Sequence, residues 1–186
     1  MNFSKLDEEI LMKLAYKAAR AYIDSGKTDI EEHIEVPENL RNYGGAFVSA
    51  YIAGSLRGCI GTFSEDQPIY IAVQNMAKAA VCSDSRFQAI SRSESQKLEL
   101  EISVLSPRVE VNDISEIEIG RHGIYMSRGA NRGTFLPQVA VEQNWTVEEF
   151  LSNCARYKAG IDWDGWKGAE LFTYETHVID SRELNR

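Results

Sequence analysis

Phe47-Val48-Ser49-Ala50-Tyr51-Ile52 is followed by Ala53-Gly54-Ser55 and then by Leu56-Arg57-Gly58-Cys59-Ile60. The first stretch is rich in β-branched and aromatic residues, which favour strands. The second is typical of a tight turn, and the third predicts a strand that returns beside the first. The sequence therefore predicts an antiparallel hairpin over residues 47–60, and the other elements are placed around it.

Three helices are predicted outside this hairpin. Apolar residues recur every three or four positions after Ser4 and predict a first helix that ends at Ser25-Gly26. Pro68 begins a second helix that ends near Ser83-Asp84. Thr146 and Glu149 form a capping-box pattern, which begins a third helix that continues to about residue 160.

Further strands are predicted by alternation of apolar and polar residues. Residues 98–104 alternate clearly, residues 123–126 and 134–136 indicate a second hairpin, and residues 172–179 indicate a last strand. The predicted strands occur in the sequence as hairpins and as single strands, and they do not alternate regularly with helices. We therefore predict an α+β fold, with an antiparallel sheet and helices packed on it.

Length and charge restrict the class of protein. The chain has 186 residues, enough for one domain with a buried core, and a formal net charge of −8. Since phosphate contacts dominate the affinity for nucleic acids and anionic lipids, we expect neither as a partner. The sequence has no signal-peptide pattern and no apolar run of about 20 residues, so we expect a cytoplasmic protein that does not enter a membrane.

The cysteines and histidines do not form a metal-ligand pattern. Cys59, Cys82 and Cys154 are widely spaced and odd in number, which is typical of reduced thiols rather than of disulfides or zinc ligands. His33, His122 and His177 are equally scattered. We therefore expect neither a metal nor a cofactor.

Residues 56–62, Leu-Arg-Gly-Cys-Ile-Gly-Thr, are the densest candidate for chemistry, and we call them the Cys59 motif. Two glycines allow a close approach of backbone or ligand. An arginine beside a thiol stabilises the thiolate, which is the nucleophilic form. The alternative is that Cys59 is a buried small apolar residue at the end of a strand, as free cysteines commonly are.

Three other residues are candidates for the same chemistry. His122 is a candidate base for Cys59, or else a turn residue. Glu101 shares a strand face with Glu99, so it belongs either to an acid–base pair or to a solvated face. Arg86 in Asp84-Ser85-Arg86-Phe87 is either the centre of an anion site or the partner of Asp84 in a turn.

These segments together resemble the AMMECR domain family over nearly the whole chain. The most specific match is the Cys59 motif, which is complete. Gly45-Ala46-Phe47-Val48 resembles the Gly-x-Phe-Val segment of the family, and Asp84-Ser85-Arg86-Phe87 resembles its Asp-x-Arg-Phe segment. Further matches occur in the same order, at residues 98–107, 119–124, 136–145 and 158–160.

The resemblance implies a fold and a set of partners. It implies two subdomains, a larger one from about 1–57 and 108–186 and a smaller one from about 58–107. Prokaryotic members of the family occur as protein A of a system with a Memo-like protein and a radical SAM enzyme. The resemblance therefore implies an accessory role beside these two proteins, and it does not specify a reaction.

Two hypotheses about function follow. In the first, the chain is an accessory or ligand-binding protein whose motif binds a small anionic ligand. The residues expected to bind that ligand are Arg57, Gly58, Ile60, Gly61, Thr62 and Arg86. In the second, the chain is a small-molecule enzyme: Cys59 is the nucleophile, Arg57 lowers the pKa of its thiol, and His122 or Glu101 is the base.

Overall fold

Two structural units make up the part of the chain that the computed structural model describes, residues 3–27, 30–31 and 33–184. The first unit combines the chain up to Leu105 with the segment from His177 onward, and the second contains Ser106–Thr176. Each unit has its own four-stranded sheet. The α+β class with mainly antiparallel sheets is confirmed.

The sheet of the first unit has the strand order β2-β1-β3-β8. The hairpin predicted over 47–60 is present, because β1 pairs antiparallel with both β2 and β3. Helices α1 and α2 share a core with this sheet. The elements are α1 (Lys5–Ser25), β1 (Ala46–Ile52), β2 (Ser55–Thr62), α2 (Ile69–Cys82), β3 (Leu98–Leu105), β8 (Thr176–Asp180) and α5 (Ser181–Leu184), with 3₁₀ turns at Glu38–Arg41 and Ser95–Lys97.

Helix α1 begins and ends where the sequence predicts. Ser4 and Asp7 form a complete capping box, which satisfies amide groups that a helix start leaves unpaired. Gly26 ends the helix in the left-handed conformation, with φ of 68°. Local capping chemistry thus sets both ends of this helix.

Buried and partly buried residues alternate along β1 and thereby identify its two faces. Ala46, Val48 and Ala50 are fully buried against the helices. Phe47, Ser49 and Tyr51 are only partly buried, and they lie on the opposite side, which we call the outer face of the first sheet. The candidate site is built on this outer face and on the free edge of β2.

The second unit has the strand order β4-β7-β5-β6, with every neighbouring pair antiparallel. Its core includes Met126, Phe150 and Trp166, and the indole N–H of Trp166 donates to Ser152 at 2.9 Å. The elements are β4 (Val109–Glu110), a 3₁₀ turn (Ile114–Glu116), β5 (Gly123–Arg128), β6 (Asn131–Phe135), α3 (Pro137–Glu142), α4 (Val147–Cys154), a π-helical segment (Ala155–Ala159), a 3₁₀ turn (Gly165–Gly168) and β7 (Glu170–Tyr174).

Two predictions about organisation need correction. The expected smaller subdomain, 58–107, is not a unit: β2 and β3 both pair with β1, which ties these residues to the first sheet. The smaller unit is instead Ser106–Thr176. The predicted last strand, 172–179, is two strands, β7 and β8, which belong to different sheets.

Candidate functional site

Cys59 lies in a row of side chains across the first sheet. The register pairs Ser49 with Cys59 on one side and with Glu101 on the other. The Ser49 hydroxyl donates a hydrogen bond to the Cys59 sulfur at 3.3 Å. Glu101 is two strands away from Cys59, about 10 Å between backbones at the usual strand spacing, so it does not contact the thiol directly.

Both glycines of the Cys59 motif are required by packing. A Cβ atom on Gly58 would lie 1.9 Å from the carbonyl oxygen of Ala80, because α2 rests directly on the β2 backbone. A Cβ atom on Gly61 would lie 2.1 Å from the ring of Phe47, which covers this glycine from the neighbouring strand. The glycines therefore allow α2 and an aromatic ring to approach β2.

The backbone of Cys59 is held at the free edge of β2 by two side chains. The Asp84 carboxylate accepts the Cys59 N–H at 2.9 Å, and the Arg86 guanidinium donates to the Cys59 carbonyl at 3.2 Å. These two side chains supply the acceptor and the donor that another strand would provide. We call the pair the Asp84–Arg86 clamp.

Charge reinforces the clamp. Asp84 is buried and accepts from the Arg86 Nε at 2.9 Å and Nη2 at 2.7 Å. Hydrogen bonds from Arg86, with help from the Cys59 and Arg86 amides, hold the pKa of the Asp84 carboxyl well below its usual range, against the opposing effect of burial. The pair is therefore ionised throughout the physiological pH range.

Arg86 is the cation that the structure places near the Cys59 thiol. Its pKa is raised, first by the hydrogen bonds to Asp84 and then, in smaller part, by the Cys59 side chain. The Arg86 side chain is 61% exposed, and the bonds to Asp84 and to the Cys59 carbonyl use its Nε and Nη2. Arg86 can therefore offer one edge of its guanidinium to an anion.

Arg57 contacts the loop after α2, not the Cys59 thiol as predicted. Its guanidinium pairs with Glu94 and donates to the Gln88 carbonyl at 3.4 Å, in the loop after α2. The hydrogen bond from Arg57, followed by those from Ser91, lowers the pKa of Glu94 to about 2. The pairing of β1 with β2 shifts in register near Ala50 and Tyr51, opposite Arg57. The regular alternation of side chains between the two sheet faces is therefore interrupted at Arg57.

A second polar group lies on the outer face beside Ser49. The Arg182 guanidinium lies over the Tyr51 ring at 4.8 Å and donates to Glu101 at 3.3 Å and to Asp180 at 2.6 Å. Burial is the main cause that raises the pKa of Glu101 and also that of Tyr51, which hydrogen-bonds with Ser49. Glu101 is thus the partner of Arg182 rather than of the thiol.

The other predicted site residues have local roles. Ile60 lies opposite Val48, on the sheet face that packs against the helices. The Thr62 hydroxyl accepts the Ser64 N–H at 3.0 Å in the following turn. His122 belongs to the second unit, where its Nδ1 accepts the Glu118 N–H at 3.1 Å.

The three thiols differ in environment. Cys59 and Cys82 are partly buried, whereas Cys154 is fully buried in the second core, which raises its pKa to about 12. Cys82 donates to the Lys78 carbonyl at 3.2 Å within α2. The described residues contain no cluster of three or more histidine, cysteine or acidic side chains suited to a metal ion. Over the same residues, no helix has the length and apolarity of a membrane span.

Comparison with known proteins identifies the family. The AMMECR1 family model matches residues 12–179, nearly the whole chain. The chain belongs to the AMMECR1 family. A crystal structure of an uncharacterized protein from Pyrococcus horikoshii is similar to this AMMECR1 chain, with a TM-score of 0.84 and 30% identity over 95% of this chain and 92% of that one.

Curated relatives agree with this family assignment. A protein of Methanopyrus kandleri is 39% identical over 94% of this AMMECR1 chain and 88% of its own length. A protein of Thermotoga maritima is 36% identical over 92% of this chain and 99% of its own length. The names of these relatives state no activity, so the family is established without a reaction.

Sequence reasoning missed four residues of this site. Ser49, Tyr51 and Arg182 were not predicted as site residues, although Ser49 touches the thiol and Arg182 lies over Tyr51. Asp84 was predicted only as a turn partner of Arg86, although it accepts the Cys59 N–H. The alternation of Phe47, Ser49 and Tyr51 with small buried residues was the available signal for the first two. Arg182 had no local signal, because it reaches Glu101 from the far end of the chain.

Proposed function

We propose that this AMMECR1-family protein is an accessory, ligand-binding protein that works with a Memo-like protein and a radical SAM enzyme. The observation that carries the proposal is the Asp84–Arg86 clamp. It fixes the backbone of Cys59 while the thiol remains partly accessible on the outer face. Such rigid presentation without a base suits binding better than turnover.

The free edge of β2 is suited to a small anionic ligand. The backbone groups of Cys59 point away from β1, since the clamp binds them, and alternation gives Gly61 the same orientation. The Gly61 N–H, the exposed part of the Arg86 guanidinium and the Cys59 thiol together present donors to a carboxylate or a similar anion. Arg57 contributes little to such a site because Glu94 neutralises it.

The absence of a neighbouring base argues against simple nucleophilic catalysis. Among the described residues, the Cys59 side chain interacts with Ser49, Arg86 and Tyr51, and no imidazole hydrogen-bonds to it. A nucleophilic thiol ordinarily has a base within hydrogen-bond reach. Ligand binding needs no such group.

Binding to the two expected partners tests the proposal. The purified chain is mixed with a Memo-like protein and a radical SAM enzyme from the same organism, and complex formation is measured by calorimetry and light scattering. We expect a saturable complex with at least one of them, weakened about tenfold by Arg86→Gln, which removes one charge-assisted contact. Arg92→Gln is the control, because Arg92 is 80% exposed and its ion pair, among the residues that the structure describes, is the 3.4 Å contact with Asp24. No complex with either protein would overturn the accessory role.

A second candidate, a small-molecule enzyme with Cys59 as nucleophile, is favoured by one observation. The Ser49 hydroxyl donates to the sulfur and Arg86 lies within electrostatic range, so a hydrogen-bond donor and a cation both face the thiol. Alkylation of the native protein, followed cysteine by cysteine against pH, tests this candidate. Fast reaction of Cys59 well below pH 8 would support the enzyme, and inertness until unfolding would eliminate it.

A further inference from the structure

A groove in the second unit has the composition of an anion site. It has a volume of about 700 Å³ and is lined by Arg128, Gly129, Asn131, Arg156, Gly160, Ile161 and Asp162. The lining comes from two places, the turn between β5 and β6 and the end of the π-helical segment. We propose that this groove binds a small molecule that carries a phosphate group. The proposal is independent of the Cys59 site, since all of its residues lie in the second unit.

The charge of the two arginines that line the groove is available to a ligand. Within the described residues, neither Arg128 nor Arg156 forms an ion pair. Several other arginines are bound to carboxylates, as in the pairs Arg57–Glu94, Arg86–Asp84, Arg121–Glu175 and Arg182–Asp180. Among the same residues Arg20, Arg41 and Arg132 also lack an ion pair, but they do not line this groove. Two uncompensated guanidinium groups beside one cavity, in a protein of net charge −8, therefore indicate an external anion.

The backbone around the groove is built to hold these arginines in place. Gly133 of β6 has no side chain, and a Cβ there would lie 2.7 Å from the Ala159 nitrogen, so β6 packs directly on the π-helical segment. Arg128 donates to the Gly165 carbonyl at 3.4 Å, which ties its guanidinium to the adjacent 3₁₀ turn. Short π-helical segments are rare and occur frequently at functional sites.

Two glycines open the surface of the groove. Gly129 and Gly160 adopt left-handed conformations, with φ of 63° and 67°. No atom lies within 4 Å of the position that a Cβ would take at either residue. A ligand can therefore approach both backbones without meeting a side chain.

Phosphate fits this arrangement better than a single carboxylate. A phosphate monoester carries close to two charges and three terminal oxygens, so it can neutralise two guanidinium groups, whereas one carboxylate carries a single charge. The Asp162 carboxylate, which also lines the groove, is an acceptor for a hydroxyl or amine of the same ligand. The volume is in the range of small-molecule pockets, about 300–1,000 Å³.

The test is a titration of the full chain with pyrophosphate at constant ionic strength, followed by amide NMR. We expect saturable shifts at Gly129 and Gly160, and a loss of affinity of about tenfold in Arg128→Gln and in Arg156→Gln. Arg132→Gln is the matched control: it makes the same charge change in the same hairpin without lining the groove, and we expect less than a twofold effect. Because no hydrogen bond or ion pair of the Arg156 side chain occurs within the described residues, its variant tests binding even if Arg128→Gln disturbs the local fold.

Several outcomes would overturn the proposal. Non-saturable shifts, or equal weakening by Arg132→Gln, would show a general charge effect instead of a site. Citrate binding as tightly as pyrophosphate would remove the assignment to phosphate. Tighter binding of a phosphoserine peptide would assign the groove to a phosphorylated protein and not to a small molecule.

Discussion

Removal of the Asp84 carboxylate is expected to release the Cys59 segment from its clamp. That carboxylate accepts four hydrogen bonds, from the amides of Cys59 and Arg86 and from the Arg86 Nε and Nη2. In Asp84→Asn, one carboxylate oxygen becomes an NH₂ group that faces donors on every side. The change therefore costs both charge and geometry.

The magnitude follows from how exposed each donor is. Arg86 is 61% exposed and can bind water instead, so the bonds from its side chain count for less than buried ones. The Cys59 amide bond and the buried position of Asp84 account for most of the effect. We expect Asp84→Asn to lower the free energy of unfolding by about 2 kcal/mol, and Asp84→Ala by about 3 kcal/mol.

Urea unfolding and amide hydrogen exchange measure the two parts of this effect. The urea midpoint reports the global loss, and exchange at the Cys59 amide reports local release of β2. Asp24→Asn is the control, since the Asp24 contact within the described part of the chain is an exposed pair with Arg92 at 3.4 Å, and its loss should cost less than about 1 kcal/mol.

The pH dependence has a definite sign. The folded-state pKa of Asp84 lies below its value in the unfolded chain, so its stabilisation is complete above about pH 4 and is lost as the pH falls through the folded-state pKa. The difference between wild type and Asp84→Asn should therefore shrink on acidification. A difference that is flat or grows below pH 4, or an Asp84→Asn effect no larger than that of Asp24→Asn, would refute the clamp.

Three further predictions concern the same unit and its neighbour. Gly58→Ala should destabilise the fold by about 3 kcal/mol in thermal unfolding, because its methyl group would overlap the Ala80 carbonyl and force α2 away from β2. Cys154 should resist alkylation at pH 8 until the protein is unfolded, since burial raises its pKa to about 12, and peptide mass spectrometry of native protein would contradict this by showing a modified Cys154. Glu94→Gln should free Arg57 and speed amide exchange at Ser91 several-fold, because the Glu94 carboxylate accepts hydrogen bonds from both residues, and unchanged exchange would show that the loop does not depend on this pair.

Elements set by local chemistry were predictable from the sequence. The capping boxes at Ser4 and Thr146 begin α1 and α4 as predicted, and the turn after Ile52 gives the first hairpin. These signals lie within a few residues of the structure that they determine. The prediction of an α+β fold rests on the same local signals.

Features that depend on distant contacts were not predictable. The alternation over residues 172–179 correctly predicts extended chain, but nothing in it shows that β7 and β8 join different sheets. The α4 pattern continues to Gly160, yet the helix changes to π geometry after Cys154, where β6 packs on it. In both cases the deciding partner is far away in the sequence.

The same contrast between local signals and distant contacts applies to the candidate site. The Cys59 motif stands out because of its two glycines, and both are indeed needed, although for packing. Arg57 is two positions before the motif cysteine but binds Glu94, whereas Arg86, 27 positions away, holds the Cys59 carbonyl. Residues two apart lie on one face of a regular strand, but the register shift in the β1–β2 ladder interrupts that alternation at Arg57, so proximity along the strand misassigned the cation.

The clamp also changes what the motif itself implies. Ala80 packs against Gly58, the Phe47 ring packs against Gly61, and Thr62 closes a turn. Packing and turn formation therefore explain these three residues. The thiol of Cys59 is different, because alanine or valine would serve packing equally well at a partly buried position. The rest of the motif, together with Asp84 and Arg86, keeps that one side chain in a fixed place on the outer face. A role for this protein in binding or in chemistry should therefore depend on the Cys59 sulfur, and it should be lost when the clamp is opened even though the cysteine remains.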